Sequence, residues 1–311
     1  MQVEEIAQLL VAPTKGILAA DESTGTMAKR LAAVGVASTK DTRREYREMI
    51  FSIPGIEQFI SGVILFEETL SSNSGQVLLD KGILLGIKVD QGINSEEVTE
   101  GLTGLKERLE EYKKYGAVFA KWRAVVTIGA EDSLAENAIR LAEYARICQE
   151  AGIVPIVEPE VLMDGDHTLA DCDRVTEKTL RTVFAKLSQK NINLKGMLLK
   201  PNMVLSGKDS THKTKANKEA EATINCFKKV VPKTLAGIVF LSGGLSPDEA
   251  TERLRLINKN KDLTWPMSFS FGRALQQEAL QAWSGTAENK AAAQAVFLQR
   301  AQQVSLARQG K

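Results

Sequence analysis

Histidine is scarce in this chain: 311 residues contain only His167 and His212. Two isolated imidazoles cannot supply the clustered ligands of a metal-activated site. Neither ends an apolar run, so a Ser/His/Asp arrangement is equally unsupported. His167, in "DGDHTLAD", reads as a loop or helix start, and His212, in "GKDSTHKTKANKEAEAT", as a solvated loop entering a helix. Cysteine is almost as thin. Cys148, Cys172 and Cys226 are odd in number and widely spaced, which excludes a disulfide framework and fits a reducing, cytoplasmic setting. No apolar run approaches the roughly 20 residues that span a membrane. The opening "MQVEEIAQLL" lacks the basic start of a secretory signal. Charge of one sign is also missing: 40 Lys and Arg face 39 Asp and Glu, a formal net charge of +1. No global field attracts nucleic acid, so any anion must be bound by a local constellation. With no repeat, low-complexity stretch or linker, residues 1–311 read as one domain.

What the chain does have is alternation. Short apolar runs recur: "GILAAD", "FISGVILF", "ILLGIKVD", "AVFAKWR", "GIVPIVEPE", "GMLLK", "AGIVFLS" and "WPMSFS". Such runs are how doubly covered parallel strands look. Helical spacing lies between them. Val98, Leu102, Leu105, Leu109 and Tyr112 predict a helix over residues 96–115, closed by Gly116. Leu134, Ala138, Leu141, Ala145 and Cys148 predict another over 132–151. "LSPDEA" offers Ser246 as a cap and Pro247 in the first turn. Residues 66–82 show no clear helix. Eight strands alternating with helices predict a single (β/α)8 TIM barrel with its active site at the C-terminal mouth. A doubly wound open sheet is the other topology of this pattern.

The charges sit at the ends of the runs. Lys88 and Asp90, Lys121 and Arg123, and Glu158 and Glu160 are spaced i and i+2, which puts each pair on one strand face. Asp21 ends the first run, Glu67 and Glu68 follow the second, and Lys200 ends the sixth just before Pro201. One charged strand end is a solvated terminus; charges at most of them converge on a barrel mouth. Two loops suggest phosphate. Ser242, Gly243 and Gly244 fall between a strand and a helix start, where backbone N–H groups can approach an anion. Ser270, Gly272 and Arg273 follow the eighth run, and an arginine can fork onto phosphate oxygens. Arg30 and Lys88 could serve a second anion at the other rim.

Lys200 and Lys121 therefore face one mouth beside Glu158 and Glu160. A lysine crowded by cations in a partly dry pocket loses proton affinity. Its neutral amine can attack a carbonyl and form an iminium, an electron sink for cleaving the adjacent C–C bond. The carboxylates can carry the protons.

"LAADESTGTMAKRL", "FAKWR", "GIVPIVEPE", "LLKPNM", "FLSGG" and "FGRALQ" occur in order along nearly the whole chain. Together they resemble class I fructose-1,6-bisphosphate aldolase. That resemblance implies Lys200 as Schiff-base nucleophile and Glu158 as general acid/base, with Glu160 its charged neighbour. It implies Asp21 near the C4 hydroxyl and Lys121 as second catalytic lysine. Lys88 and Arg123 would line the pocket. Ser242, Gly243, Gly244, Ser270, Gly272 and Arg273 would bind the phosphate of the ketone-derived half, and Ser23, Thr26, Arg30 and Arg43 would lie at the rim. The implied reaction is reversible cleavage of fructose 1,6-bisphosphate to dihydroxyacetone phosphate and glyceraldehyde 3-phosphate, without metal or cofactor. A cytoplasmic homotetramer is implied as well, with no nucleic-acid or membrane partner.

Two departures from the family pattern stand out. Many members end in a mobile tail whose terminal tyrosine assists proton exchange at the enamine carbon. Here Tyr46, Tyr112, Tyr115 and Tyr144 all lie far upstream, so another group, water or a longer chain must serve. Phe271 stands where members often have tyrosine. Two other readings remain: a different Schiff-base barrel such as a transaldolase, and a barrel that only binds partners.

Overall fold

The computed structural model describes residues 1–72 and 74–311. Eight parallel strands close a barrel in sequence order, so the TIM-barrel reading holds and the open sheet does not. The strands are β1 (Gly16–Ala20), β2 (Ile60–Leu65), β3 (Leu84–Lys88), β4 (Ala117–Val126), β5 (Val154–Val161), β6 (Leu198–Leu199), β7 (Gly237–Phe240) and β8 (Met267–Phe271). Every predicted run overlaps one of them, and β4, β5 and β8 extend past the ends of their runs. Helix α1 (Val3–Leu10) precedes the barrel. α2 (Thr24–Ala32) and α3 (Lys40–Phe51) follow β1, and α4 (Glu67–Ser71) and α5 (Gln76–Asp80) follow β2. Single helices follow β3 to β7: α6 (Leu105–Lys114), α7 (Leu134–Glu150), α8 (Leu169–Gln189), α9 (Ala216–Val230) and α10 (Pro247–Lys259). α11 (Arg273–Trp283) and α12 (Lys290–Arg308) follow β8.

Two apolar layers hold this together. Inside the barrel, Ile17, Ile64, Phe119, Val154, Ile156, Leu198 and Val239 are fully buried, and Ile6, Ala7 and Leu10 of α1 plug the end opposite the mouth. Phe119 fills the middle; a methyl on Gly86 would lie 2.1 Å from its ring. Large side chains thus face small ones across the interior. The second layer packs strands against helices, with Tyr46, Trp122, Tyr144, Phe227 and Phe240 among its members. Phe271 belongs here, fully buried and tilted against Phe269, away from the mouth.

Local chemistry sets the helix bounds. Ser246 caps α10 by accepting from Glu249 N, and Pro247 occupies the first turn as predicted. The predicted helix over 96–115 is shorter and starts only at Leu105. Gly101 and Gly104 have φ of 128° and 67°, left-handed values that interrupt a right-handed helix. The apolar spacing upstream belongs to a loop in which Val98 packs inward. Residues 66–82, without a clear helical pattern, form the two five-residue helices α4 and α5.

Cys148, Cys172 and Cys226 are unpaired and buried, and burial raises each thiol's pKa. Thiolate is the reactive form, so the folded protein should be almost inert to aromatic disulfide reagents at neutral pH. Three thiols should then titrate once denaturant is added. A fast-reacting thiol in the native protein would contradict this packing.

Candidate active site

The mouth of the barrel holds a cavity of about 1030 Å³. Strands β4 and β5 run past the charged residues instead of ending on them: pairing continues from Arg123↔Glu158 to Val126↔Val161. The pleat still decides which side chains enter. Lys121, Arg123, Glu158 and Glu160 line the cavity, while Trp122 between them is buried in the outer layer.

The centre is a chain of ion pairs. Lys200 Nζ lies 3.0 Å from Glu158 Oε1. Lys121 Nζ lies 3.3 Å from Glu158 Oε2, 2.8 Å from Asp21 Oδ2 and 3.6 Å from Asp90 Oδ2. Asp90 Oδ1 meets Lys88 Nζ at 2.5 Å, and Arg123 Nε pairs with Glu160. Lys121, Glu158 and Lys200 are 3%, 3% and 4% exposed, so these charges stand in a medium where pairing is strong and isolation costly. Four cations face four carboxylates.

That balance corrects one expectation. Lys121 does not lose proton affinity by crowding. Burial alone would lower its pKa, but Asp21, Glu158 and Asp90 override burial and hold the ammonium well above the usual lysine range. Burial would raise Asp21 in turn; Lys121, Lys200 and Lys88 together hold it well below the usual carboxylate range. Glu158 stands between the two lysines, and its Oε2 is buried without a hydrogen bond, 3.3 Å from Lys121 Nζ.

Across the mouth, the loops after β7 and β8 form a cradle. Gly244 has φ of 73°, and a methyl there would lie 1.8 Å from Met163 Sδ; only glycine fits. A side chain on Gly243 would strike Glu160. Ser270 Oγ is buried without a partner beside the cavity. Arg273 is exposed and donates to Leu245 O at 3.1 Å; among the described residues no carboxylate pairs with it. A free guanidinium, an unused hydroxyl and a helix start at Arg273 make a place for an anion.

Ser23, Thr26 and Arg30 line the same cavity from α2. Arg43 does not. Its guanidinium forks onto Glu68, Nε to Oε1 at 2.9 Å and Nη2 to Oε2 at 2.5 Å, outside the cavity lining. Glu68 is the acid of α4 turned outward, whereas Glu67 lines the cavity. His167 and His212 lie in the loops after β5 and β6, outside the cavity lining.

Three residues were given no role from sequence, although Asp90 was noted there as a strand-end charge. Asp90 links Lys88 to Lys121 and also accepts from Arg123 N at 3.3 Å; its i+2 spacing from Lys88 was the available signal. Glu22 lines the cavity and pairs with Arg30. Asn202 is the third. Pro201 cannot extend β6, and Asn202 replaces the missing ladder bond, taking Val161 N on Oδ1 at 3.0 Å and donating to Thr176 Oγ1 at 3.1 Å. No pattern in the sequence marks such a bond.

A closed parallel barrel with buried lysines and carboxylates converging on a charged mouth beside an anion cradle defines a barrel enzyme working on a phosphorylated carbonyl compound. The family model described as fructose-bisphosphate aldolase class-I matches residues 2–311. A probable class 1 fructose-bisphosphate aldolase of Xanthomonas campestris pv. campestris is 47% identical, covering 100% of this chain and 98% of its own. Fructose-bisphosphate aldolase C-B of Danio rerio is 49% identical over 100% of this chain and 90% of its own. A solved Plasmodium falciparum fructose-bisphosphate aldolase, in complex with TRAP and a small-molecule inhibitor, superposes with a TM-score of 0.96. It is 45% identical and covers 99% of this chain and 94% of its own. The chain belongs to the class I fructose-bisphosphate aldolase family, metal-independent lyases whose chemistry runs through a Schiff base.

Proposed function

We propose that Lys200 is the amine of that Schiff base and that the mouth cleaves fructose 1,6-bisphosphate reversibly to dihydroxyacetone phosphate and glyceraldehyde 3-phosphate. The observation that carries the assignment is Glu158 standing between Lys200 Nζ and Lys121 Nζ, at 3.0 and 3.3 Å. Glu158 takes a proton from the Lys200 ammonium, and the amine attacks the substrate's C2 carbonyl. Glu158 returns the proton to the carbinolamine hydroxyl, which leaves as water, giving the iminium. Lys121, held charged by three carboxylates, stabilises negative charge developing beside that carbon. Asp21 takes the C4 hydroxyl proton. The C3–C4 bond breaks, glyceraldehyde 3-phosphate departs, and the electron pair passes into the iminium to form an enamine. Protonation at C3 and hydrolysis then release dihydroxyacetone phosphate and free Lys200.

The cradle of Ser242, Gly243, Gly244, Ser270, Gly272 and Arg273 takes the ketone-side phosphate in this reading. Ser23, Thr26, Arg30, Lys88 and Arg123 serve the other half, and Glu160 holds Arg123 in place. A cytoplasmic homotetramer belongs to the same proposal, supported by family habit; light scattering tests the assembly. Among the described residues no helix is long and apolar enough to cross a membrane.

Borohydride added with dihydroxyacetone phosphate should reduce the iminium and leave a stable adduct on Lys200 alone, read by peptide mass mapping. A chelator in the assay should not change turnover. Label on another lysine would reject the assignment, and absence of any turnover would favour a barrel that only binds partners.

A further inference from the structure

Gln276 lies in the second turn of α11 and is 3% exposed. It does not line the cavity. Its side-chain Nε2 donates to Ala19 O at 2.9 Å, to Glu22 Oε1 at 2.9 Å and to Gly272 O at 3.4 Å. Ala19 belongs to β1, Glu22 follows Asp21, and Gly272 opens the cradle. The same Glu22 oxygen accepts from Arg30, and the Glu22 carbonyl accepts from Arg47 Nη2 at 2.8 Å. Tyr46 OH donates to the Gln276 carbonyl at 3.3 Å. One buried amide therefore gathers acceptors from both sides of the place where the first and last strands meet.

That seam is short. β1 and β8 pair through Ile17↔Ser270 and Leu18↔Phe271 only, whereas β1 and β2 pair at five positions. Beyond Leu18 and Phe271 no ladder joins the two strands. Yet Asp21 stands on one side of the seam there, and Gly272 and Arg273 on the other. The substrate must reach both at once, so their separation decides how well a phosphorylated ketone fits.

We propose that Gln276 is a positioning residue that bolts the seam above its last ladder bond and fixes the anion cradle relative to Asp21, thereby setting affinity for the phosphorylated ketone. The proposal rests on the cradle reading given above. Loss of the amide removes the donor that ties α11 to Ala19 O and Glu22 Oε1, while Gly272 O keeps the backbone N–H groups of Leu275 and Gln276, so the cradle is no longer tied to β1 by this side chain. Lys121 on β4, Glu158 on β5 and Lys200 just after β6 lie outside the seam, and the pairs of Glu158 with Lys121 and Lys200 do not pass through Gln276.

The test compares Gln276→Met, which keeps the length and loses the donor, with Gln276→Glu, which keeps the shape and swaps donor for acceptor. Borohydride inactivation is measured with dihydroxyacetone phosphate, with unphosphorylated dihydroxyacetone, and with inorganic phosphate as competitor. Both variants should bind dihydroxyacetone phosphate and inorganic phosphate about tenfold or more weakly. Trapping at saturating dihydroxyacetone should stay within about twofold of the unaltered chain. Unchanged phosphate affinity would overturn the proposal, and so would equal losses with both ketones, the mark of general damage. If Gln276→Met does not fold, Gln276→Glu decides alone. Failure of phosphate to compete in the unaltered chain would instead refute the cradle itself.

Discussion

Lys200→Met should abolish cleavage, lowering kcat by at least about 10⁴-fold, because the proposed mechanism loses the amine that forms its covalent intermediate. Borohydride with dihydroxyacetone phosphate should then leave no adduct. Inorganic phosphate should still bind, since Ser270 Oγ, the glycine loop and Arg273 are untouched. Methionine suits the site: it fills the lysine's volume, and Leu198 and Leu199 before it are apolar and buried. The cost in stability falls on Glu158, which loses one of its two cationic neighbours and keeps Lys121 at 3.3 Å. Residual iminium chemistry in the folded variant would move the amine to another lysine, and loss of phosphate binding would move the anion site.

Lys121→Met should damage both activity and stability. Lys121 is the common partner of Asp21, Asp90 and Glu158. Removing it leaves buried carboxylates facing one another with only Lys88, Lys200 and Arg123 to balance them. Breaking a buried pair costs about 3–5 kcal/mol, a large share of the stability of an ordinary domain. Turnover should fall by about 10²–10⁴-fold, the range for a positioned charge in the transition state.

The pH dependence of the unaltered chain follows in sign. Asp21 titrates below its unfolded value of about 3.9, so its contribution is present above that pH and lost as pH falls. Lys121 titrates above its unfolded value of about 10.4, so its contribution is present below that pH and lost as pH rises through the folded value. Both are in force between roughly pH 5 and 10. In Lys121→Met the carboxylates gain from protonation, so the stability optimum should move to lower pH. Chemical denaturation at pH 5 and pH 8 checks this: a variant no more stable at pH 5 would show that Lys121 does not balance them.

The barrel was legible because parallel strands covered on both sides must be short apolar runs, and here each run stands apart from the next. The lysines and acids that the structure brings together at the mouth were legible for a related reason: one charged run end is an ordinary solvated terminus, but charges at the same end of most runs must converge in a barrel. Asp90 and Glu22 were harder. Each follows or neighbours a charged residue already assigned, and only coordinates show which carboxylate reaches which cation. Arg43, expected at the rim, forks onto Glu68 outside the cavity lining, a pairing that position along a helix does not reveal. The false start of α6 came from Val98 and Leu102, whose spacing fits a helix while Gly101 and Gly104 forbid one.

β6 has two residues; beyond them Lys200 is tied to the sheet by its own N–H to Val157 O, by Leu241 N–H to Pro201 O and by Asn202 to Val161 N. So short a stave has almost no register of its own. A slip by one residue would turn Lys200 outward into the apolar layer against the helices, where an ammonium has no carboxylate to meet. Such a misthreaded barrel would bury a bare charge and leave Glu158 unmatched. The ion pairs at the mouth are therefore satisfied only in a barrel whose shortest stave is threaded correctly.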